Sequence, residues 1–203
     1  MSSPSTLVEL ENVSVRVAGV TLLSHLTWSL HTGESWAVRG NNGAGKTTFL
    51  RLVRGDVWPA AGCGRRLYHL NGKIQEGPIG FRENTGLVSS ELLDLYRTME
   101  WDLSGLDVVY TGFEGTPLIS GKPDEAKMEQ AREILATLRI TSLSDRRIRS
   151  MSHGEAKKIL IARAMVKNPG FLFLDEVDSG LDSRSYGTVM DLVHEVVERG
   201  THV

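Results

Sequence analysis

The hydrophobic positions of residues 7–40 follow the two-residue period that is typical of β-strands. LVELENVSVRV alternates and is rich in valine, and TLLSHLTWSLHTGESWAVRG predicts two further short strands on either side of the turn HTGE. The next apolar segment, KTTFLRLVRG, has a helical period from Lys46 and ends in Gly55, a residue type that often ends helices. The sequence therefore predicts a β-rich N-terminal region, and then a strand, a glycine-rich loop and a helix.

A helical pattern begins in the middle of the chain. Between Gly55 and Glu83, frequent glycines and short apolar runs predict turns and small strands, and NTGLVSS predicts one more strand. PDEAKMEQAREILATLRI then shows the period of an amphipathic helix, with Ala131 and Leu135 on its apolar face and Pro123 before its acidic first turn. We therefore expect residues 90–150 to form a helical insert.

The last fifty residues predict a helix, a strand and another helix. GEAKKILIARAMVKNPG indicates a helix that stops at Asn168-Pro169-Gly170, and FLFLDE indicates a buried strand of the kind found in parallel sheets. A helix from about Ser183 to Arg199 should end at Gly200. The final THV begins what we expect to be a further strand.

Composition and charge narrow the class of protein. With 203 residues, of which 40% are hydrophobic and 24% charged, the chain should form one globular domain. Its formal net charge of -2 gives no general attraction to nucleic acid, which is therefore not an expected partner. The single cysteine, Cys63, cannot form an internal disulfide and indicates a reduced, cytoplasmic setting. We see neither a signal peptide nor a run of about 18 apolar residues, so membrane spans would have to belong to a partner.

The segment GNNGAGKT matches the phosphate-binding pattern G-x-x-x-x-G-K-[ST]. Its glycines allow backbone N–H groups to turn toward phosphate oxygens, and the N-terminus of the following helix adds positive potential. We expect Lys46 to reach the β- and γ-phosphates of a nucleotide and the Thr47 hydroxyl to bind Mg²⁺. The candidate nucleotide-binding residues are Gly40, Asn41, Asn42, Gly43, Ala44, Gly45, Lys46, Thr47 and Thr48.

FLFLDE supplies two acidic residues at the end of a predicted strand. The carboxylate of Asp175 is expected to hold Mg²⁺, usually through water, and that of Glu176 to polarise the water that attacks the phosphate. Thr47 and Asp175 are thus the candidate metal ligands, and Glu176 and Lys46 the candidate catalytic residues.

Taken in order, GNNGAGKT, MSHGE and FLFLDEVDSGLD resemble the motifs of the ATP-binding-cassette (ABC) ATPase family over nearly the whole chain. The resemblance implies an α/β fold, namely a P-loop NTPase cassette with a RecA-like core, an N-terminal antiparallel β subdomain and an inserted α-helical subdomain. It implies a single ATP-binding domain over residues 1–203, with 1–89 and 151–203 in the core and 90–150 in the helical subdomain. It also implies ATP as the substrate, Mg²⁺ as the cofactor and ATP hydrolysis as the reaction.

In this family two cassettes pack head to tail, and the signature loop of one closes on the ATP held by the other. The resemblance places Ser152, Gly154 and the N-terminus of the helix that contains Glu155 at the partner's γ-phosphate. The segment Ser179 to Asp182 resembles the D-loop, which links the two sites. The implied partners are a second cassette, either another copy or a tandem cassette of the same protein, and a transmembrane permease subunit.

Several positions depart from the family pattern. His153 and Glu155 replace the first Gly and the Gln of the signature Leu-Ser-Gly-Gly-Gln, and His153 is either a phosphate contact or, as we favour, an exposed loop residue. Ser90 stands where a glutamine normally contacts Mg²⁺ and the transport partner, with Glu91 as a candidate substitute. An aromatic residue that stacks on adenine is missing near VSVRV, which leaves Arg16 either stacked on the base or simply exposed.

The resemblance also bears on the end of the chain. The switch histidine of the family lies on or after the strand that THV only begins, and His202 comes too early for that role. We therefore expect the cassette to be truncated at its C-terminus and its isolated ATPase activity to be weak.

LDVVYTGFEGTPL resembles a stretch of importer cassettes for metals, siderophores and oxyanions. Together with VSSELLDLYR and an MSxGEAxK signature, it makes the chain most similar to molybdate-transport-like, or photorepair-type, proteins that carry two cassettes. The resemblance implies a cytoplasmic subunit, peripheral on the inner face of the membrane, that energises import of molybdate, a metal or another small solute.

The alternative is a soluble ABC ATPase in regulation, repair or translation. The missing glutamine at Ser90 favours this alternative, because that loop is the usual contact with membrane subunits. The cluster Arg146, Arg147 and Arg149 either contacts an acidic partner or, as we favour, forms a solvated surface.

Overall fold

The computed structural model of the chain describes residues 5–203, which divide into two compact units. One unit ends at Thr85 and includes His202 and Val203, and the other spans Gly86–Thr201. The division into a core and a helical subdomain with a boundary at residues 89 and 90 stays a prediction.

The first unit contains a four-stranded antiparallel sheet in the order β2-β1-β3-β4. Its strands are β1 (Thr6–Val17), β2 (Val20–His31), β3 (Arg65–Leu70) and β4 (Lys73–Gln75). A turn at Ala18 and Gly19, both with positive φ, joins β1 to β2. The predicted β-rich N-terminal region is thereby confirmed.

The core face of β1 changes phase in the middle of the strand. Val8 and Leu10 are buried, and so are Val13 and Val15, which lie an odd number of residues further along. The register against β2 shifts between Leu10 and Val13, where Asn12 has a φ of 53°. This bulge returns the apolar side chains of the second half of the strand to the core.

Helix α1 (Lys46–Arg54) is joined to β3 by buried polar side chains. Arg66 is only 1% exposed. Its guanidinium Nη1 donates to the carbonyl of Leu52 at 2.7 Å and to that of Val57 at 2.6 Å. The hydroxyl of Tyr68 donates to the Val53 carbonyl at 2.8 Å. The carbonyls of Leu52 and Val53 lie in the last turn of α1, where helix carbonyls lack their usual partner four residues further on, and that of Val57 lies just beyond the helix.

The strand that the sequence predicts just before the glycine-rich loop is not formed. Within the described chain, residues 34–41 have no regular secondary structure, although the preceding turn closes through the Glu34 N–H and the His31 carbonyl at 3.2 Å. The Trp36 N–H bonds to the Val203 carbonyl at 2.8 Å. A strand needs a hydrogen-bonded neighbour along its length, and the bond to Val203 alone does not form such a ladder.

The second unit is assembled around helix α5 (His153–Met165), which contacts four other helices. These are α2 (Ser90–Thr98), α3 (Gly105–Glu114), α4 (Glu125–Thr137) and α6 (Ser183–Glu198). Strands β5 (Thr85–Ser89) and β6 (Phe171–Asp175) pair in a two-stranded sheet. The helices and the strand that the sequence predicts in this region are all present.

Helix α3 lies against the backbone of α5 at Gly112. A Cβ atom at this position would come within 2.2 Å of the Arg163 carbonyl oxygen and 2.6 Å of a Val166 methyl group. Because the nearest atom belongs to the backbone, it cannot rotate away as a flexible side chain could. The absence of a side chain at Gly112 therefore sets how closely the two helices approach.

We predict that Gly112→Ala lowers the free energy of unfolding by about 1–3 kcal/mol, because the added methyl group forces α3 away from α5. The matched control is Gly187→Ala in α6, where an added Cβ meets nothing within 4 Å. That change should raise stability by up to about 1 kcal/mol, since alanine favours helix more than glycine does. Urea unfolding of both variants measures the difference. Equal effects of the two substitutions would contradict the close α3–α5 contact.

Candidate active site

The glycine-rich loop leads directly into the N-terminus of α1. Gly43 and Gly45 have φ values of 79° and 88°, in the left-handed region that favours glycine, and the Ala44 N–H bonds to the Asn41 carbonyl at 3.1 Å. Gly45 occupies the N-cap position and makes no side-chain capping bond, and the first turn of α1 contains no acidic residue. In this described segment the helix N-terminus is thus shaped to receive an external anion.

Lys46, the first residue of α1, folds back over the loop. Its Nζ donates to the Gly40 carbonyl at 2.8 Å and to the Asn41 carbonyl at 2.9 Å. These bonds hold the ammonium beside the loop backbone, where phosphate oxygens would be stronger, anionic acceptors. Thr47 and Thr48 follow in the first helical turn, and both are half-buried.

The acidic pair lies in the second unit, at the end of β6. Asp175 is the last residue of the strand and is half-buried, whereas Glu176 is exposed and has a φ of 55°. The Glu176 carbonyl accepts bonds from the Ser179 N–H at 3.1 Å and from the Ser90 hydroxyl at 3.3 Å. Ser90, at the position of the family's glutamine, therefore contacts the backbone of the candidate general base.

A buried lysine that the sequence reasoning missed lies behind this pair. Lys157 in α5 is 3% exposed, and its Nζ donates to the Glu176 carbonyl at 3.0 Å and to the Ser179 carbonyl. Burial lowers the pKa of the Lys157 ammonium, and the carboxylates of Asp178, Glu176 and Asp94 act in the opposite direction. The signal in the sequence was a lysine whose helical neighbours three and four residues further on, Leu160 and Ile161, are apolar.

Helix α5 begins at the signature residues, where Ser152 is the N-cap. Its hydroxyl accepts from the Glu155 N–H at 3.2 Å, and the Glu155 carboxylate accepts from the Ser152 N–H at 2.8 Å, which completes a capping box. Arg146 donates to the same carboxylate, and its guanidinium is the main reason that the pKa of Glu155 is lowered. Gly154 packs against α6, because a Cβ there would lie 2.9 Å from that of Ser185.

His153 is exposed, as we favoured, but it is the first residue of α5 rather than a loop residue, and it has a side-chain partner. A contact of His153 with phosphate is not tested by the structure. The Arg97 Nη1 lies 3.0 Å from the His153 Nε2, and the Arg97 Nη2 donates to the Met151 carbonyl at 2.7 Å. Arg97 belongs to α2, so this helix is bonded to the signature loop on both sides of Ser152. The sequence reasoning did not single out Arg97.

Other candidate residues have more ordinary surroundings. Arg16 is exposed on β1, and its contact with the base stays a prediction. His202 Nδ1 lies 3.1 Å from the Glu34 carbonyl oxygen. Within the arginine cluster, Arg147 forms an ion pair with Asp102 at 3.2 Å, and Arg146 is engaged as described above.

Comparisons with known proteins identify the family to which these motifs belong. The family model described as ABC transporter matches residues 23–179. An ABC transporter ATP-binding protein of Streptococcus mutans is 30% identical over 193 residues, which are 95% of this chain and 72% of that protein. The manganese transport system ATP-binding protein MntB of Bacillus subtilis is 30% identical over 198 residues, 97% of this chain and 74% of the relative.

A solved structure supports the same conclusion. An inward-facing, metal-chelate type ABC transporter is 26% identical and has a TM-score of 0.73, over 97% of this chain and 70% of that one. The predicted cassette fold is therefore confirmed. The chain belongs to the ABC transporter family, as an ATP-binding cassette with ATPase function.

Proposed function

We propose that this cassette binds ATP at the loop Gly40–Thr48 and uses its hydrolysis to energise import of a small solute through a membrane permease. The observation that carries the nucleotide site is the start of α1. There a helix N-terminus without a side-chain cap adjoins left-handed glycines and the Lys46 ammonium. Backbone N–H groups and one cation are the donors that a nucleotide's phosphates require.

Thr47 and Asp175 are the proposed ligands of Mg²⁺. A hydroxyl and a carboxylate are the oxygen donors that this ion prefers, and one or two protein ligands suffice because Mg²⁺ keeps several waters. Bound with ATP, the ion would neutralise charge on the β- and γ-phosphates. Lys46 would add its positive charge at the same phosphates.

Glu176 is the proposed general base. Its carboxylate is exposed and directly follows Asp175, so it is accessible to the water that attacks the γ-phosphate. By accepting a proton from that water, the carboxylate would make the water a stronger nucleophile. The backbone of the same residue is held by Ser90 and Lys157.

Ser152 and Gly154 are proposed to act on the nucleotide of a second cassette in a head-to-tail dimer. The start of α5 supports this role, because a helix N-terminus attracts a phosphate and Ser152, its N-cap, is exposed there. The second cassette is either another copy of this chain or a tandem domain, as in the photorepair-type proteins.

The transport role rests on family membership and on the relatives. One relative is named for manganese transport, and the structural relative is a metal-chelate type transporter. None of the helices in residues 5–203 has the length and apolarity needed to cross a bilayer. From the family and these relatives we propose a cytoplasmic subunit that binds the inner face of a membrane permease, with a metal or an oxyanion such as molybdate as the solute.

Lys46→Ala should weaken ATP binding by about 10- to 100-fold, because it removes a charge-assisted hydrogen bond to phosphate. Equilibrium titration with a fluorescent ATP analogue measures the affinity. Lys73→Ala, at an exposed position of β4 in the same unit, is the matched control and should bind normally. Unchanged affinity in the Lys46 variant would contradict the assigned phosphate loop.

Glu176→Gln should lower the turnover number by about 10²- to 10⁴-fold while ATP binding is retained, because an amide cannot accept the proton. Phosphate release at saturating ATP and Mg²⁺ measures this effect. Glu198→Gln, at an exposed position near the end of α6, serves as the control. Normal turnover in the Glu176 variant would show that another group is the base.

The transport role predicts a membrane partner. The full-length protein carrying Glu176→Gln, which should remain in its ATP-bound state, is extracted in mild detergent, and co-purified proteins are identified by mass spectrometry. We expect a multi-span membrane protein in stoichiometric amount. A soluble dimer alone, or ribosomal or DNA-bound partners, would contradict the transport role and support the soluble ABC ATPase suggested by Ser90.

A further inference from the structure

Lys157 is an unusual residue in its position, because it is a cation at 3% exposure in the helix that starts at the signature loop. A buried charge is unfavourable unless its surroundings provide hydrogen-bond acceptors. Here the acceptors are two backbone carbonyls, those of Glu176 and Ser179. The lysine therefore holds the main chain that follows β6 through hydrogen bonds.

The turn that accepts these bonds has a backbone that needs support. Glu176 has a φ of 55°, which a residue with a Cβ rarely adopts. The turn closes through the Ser179 N–H and the Glu176 carbonyl at 3.1 Å. Strained backbone of this kind persists where the surroundings fix it, and the Lys157 ammonium bonds both ends of the turn.

The carboxylates near Lys157 are not its hydrogen-bond acceptors in the described structure. Asp94, Glu176 and Asp178 all influence the ammonium electrostatically, yet its Nζ bonds to carbonyl oxygens. The Glu176 carboxylate thus remains exposed, while its own main chain is held from behind. Such an arrangement fixes a reactive side chain without neutralising it.

We propose that Lys157 is a positioning residue for ATP hydrolysis, which holds the Glu176 turn in the conformation that presents the carboxylate to the attacking water. Its position on α5 also ties that turn and Ser179 of the D-loop segment to the helix whose first residues are the signature. The inference rests on the proposed role of Glu176 as the general base.

Lys157→Met tests this role, because methionine fills a similar volume but cannot bond the carbonyls. In the full chain we expect the turnover number to fall by about 10- to 100-fold, as expected when a reactive group is misplaced. Affinity for a fluorescent ATP analogue should remain within about twofold, since the phosphate loop is unchanged. Lys157→Arg, which keeps a charged donor, should recover much of the turnover.

Controls separate positioning from general stability. Lys167→Met makes the same change at an exposed site beyond the end of α5 and should leave both kcat and affinity unchanged. If Lys157→Met does not fold, Lys157→Gln replaces it, because its shorter amide cannot reach both carbonyls. Normal kcat in a folded Met or Gln variant would overturn the inference.

A double variant asks whether Lys157 acts through Glu176. In a Glu176→Gln background, Lys157→Met should cause little further loss of turnover, whereas independent effects would multiply. Multiplied losses would overturn the inference and leave the base assignment intact. Full turnover in Glu176→Gln alone would instead refute the proposed base, so the two failures are distinguishable.

Discussion

Each unit of this cassette contains a buried cation whose hydrogen-bond acceptors are main-chain carbonyls. Arg66 bonds the carbonyls of Leu52 and Val57 at the end of α1, and Lys157 bonds those of Glu176 and Ser179 after β6. Carbonyl dipoles satisfy a charge without adding a second titratable group. In each unit the segment that carries a nucleotide motif is consequently anchored by a buried positive charge.

Much of the fold could be predicted because its signals are local. The apolar period of α4, the Asn168-Pro169-Gly170 stop after α5 and the apolar run of β6 each depend on neighbouring residues only. The prediction of a strand before the phosphate loop was wrong, because a strand depends on a hydrogen-bonded partner strand as much as on its own sequence. The bulge at Asn12 was equally invisible, since alternation alone does not show where its phase changes.

The residues of the candidate site likewise fall into those that local sequence patterns indicate and those that they do not. The phosphate loop is a contiguous pattern in which glycines and one lysine indicate the chemistry, so Gly43, Gly45 and Lys46 could be proposed from sequence as phosphate-binding residues. Lys157 and Arg97 could not be found in this way. The main-chain partner of Lys157 is Glu176, 19 residues away in sequence, and that of Arg97 is Met151, 54 residues away. Residues that support a site through such distant contacts become visible only once the chain is folded.

The contact of α3 with α5 at Gly112 also has a mechanical consequence. Most helix pairs touch through side chains, which can change rotamer and absorb part of a displacement. At Gly112 a helix meets the carbonyl of Arg163 with no side chain between them, so this contact has little compliance. A displacement of α3 toward α5 at this point would therefore have to displace the main chain of α5 as well.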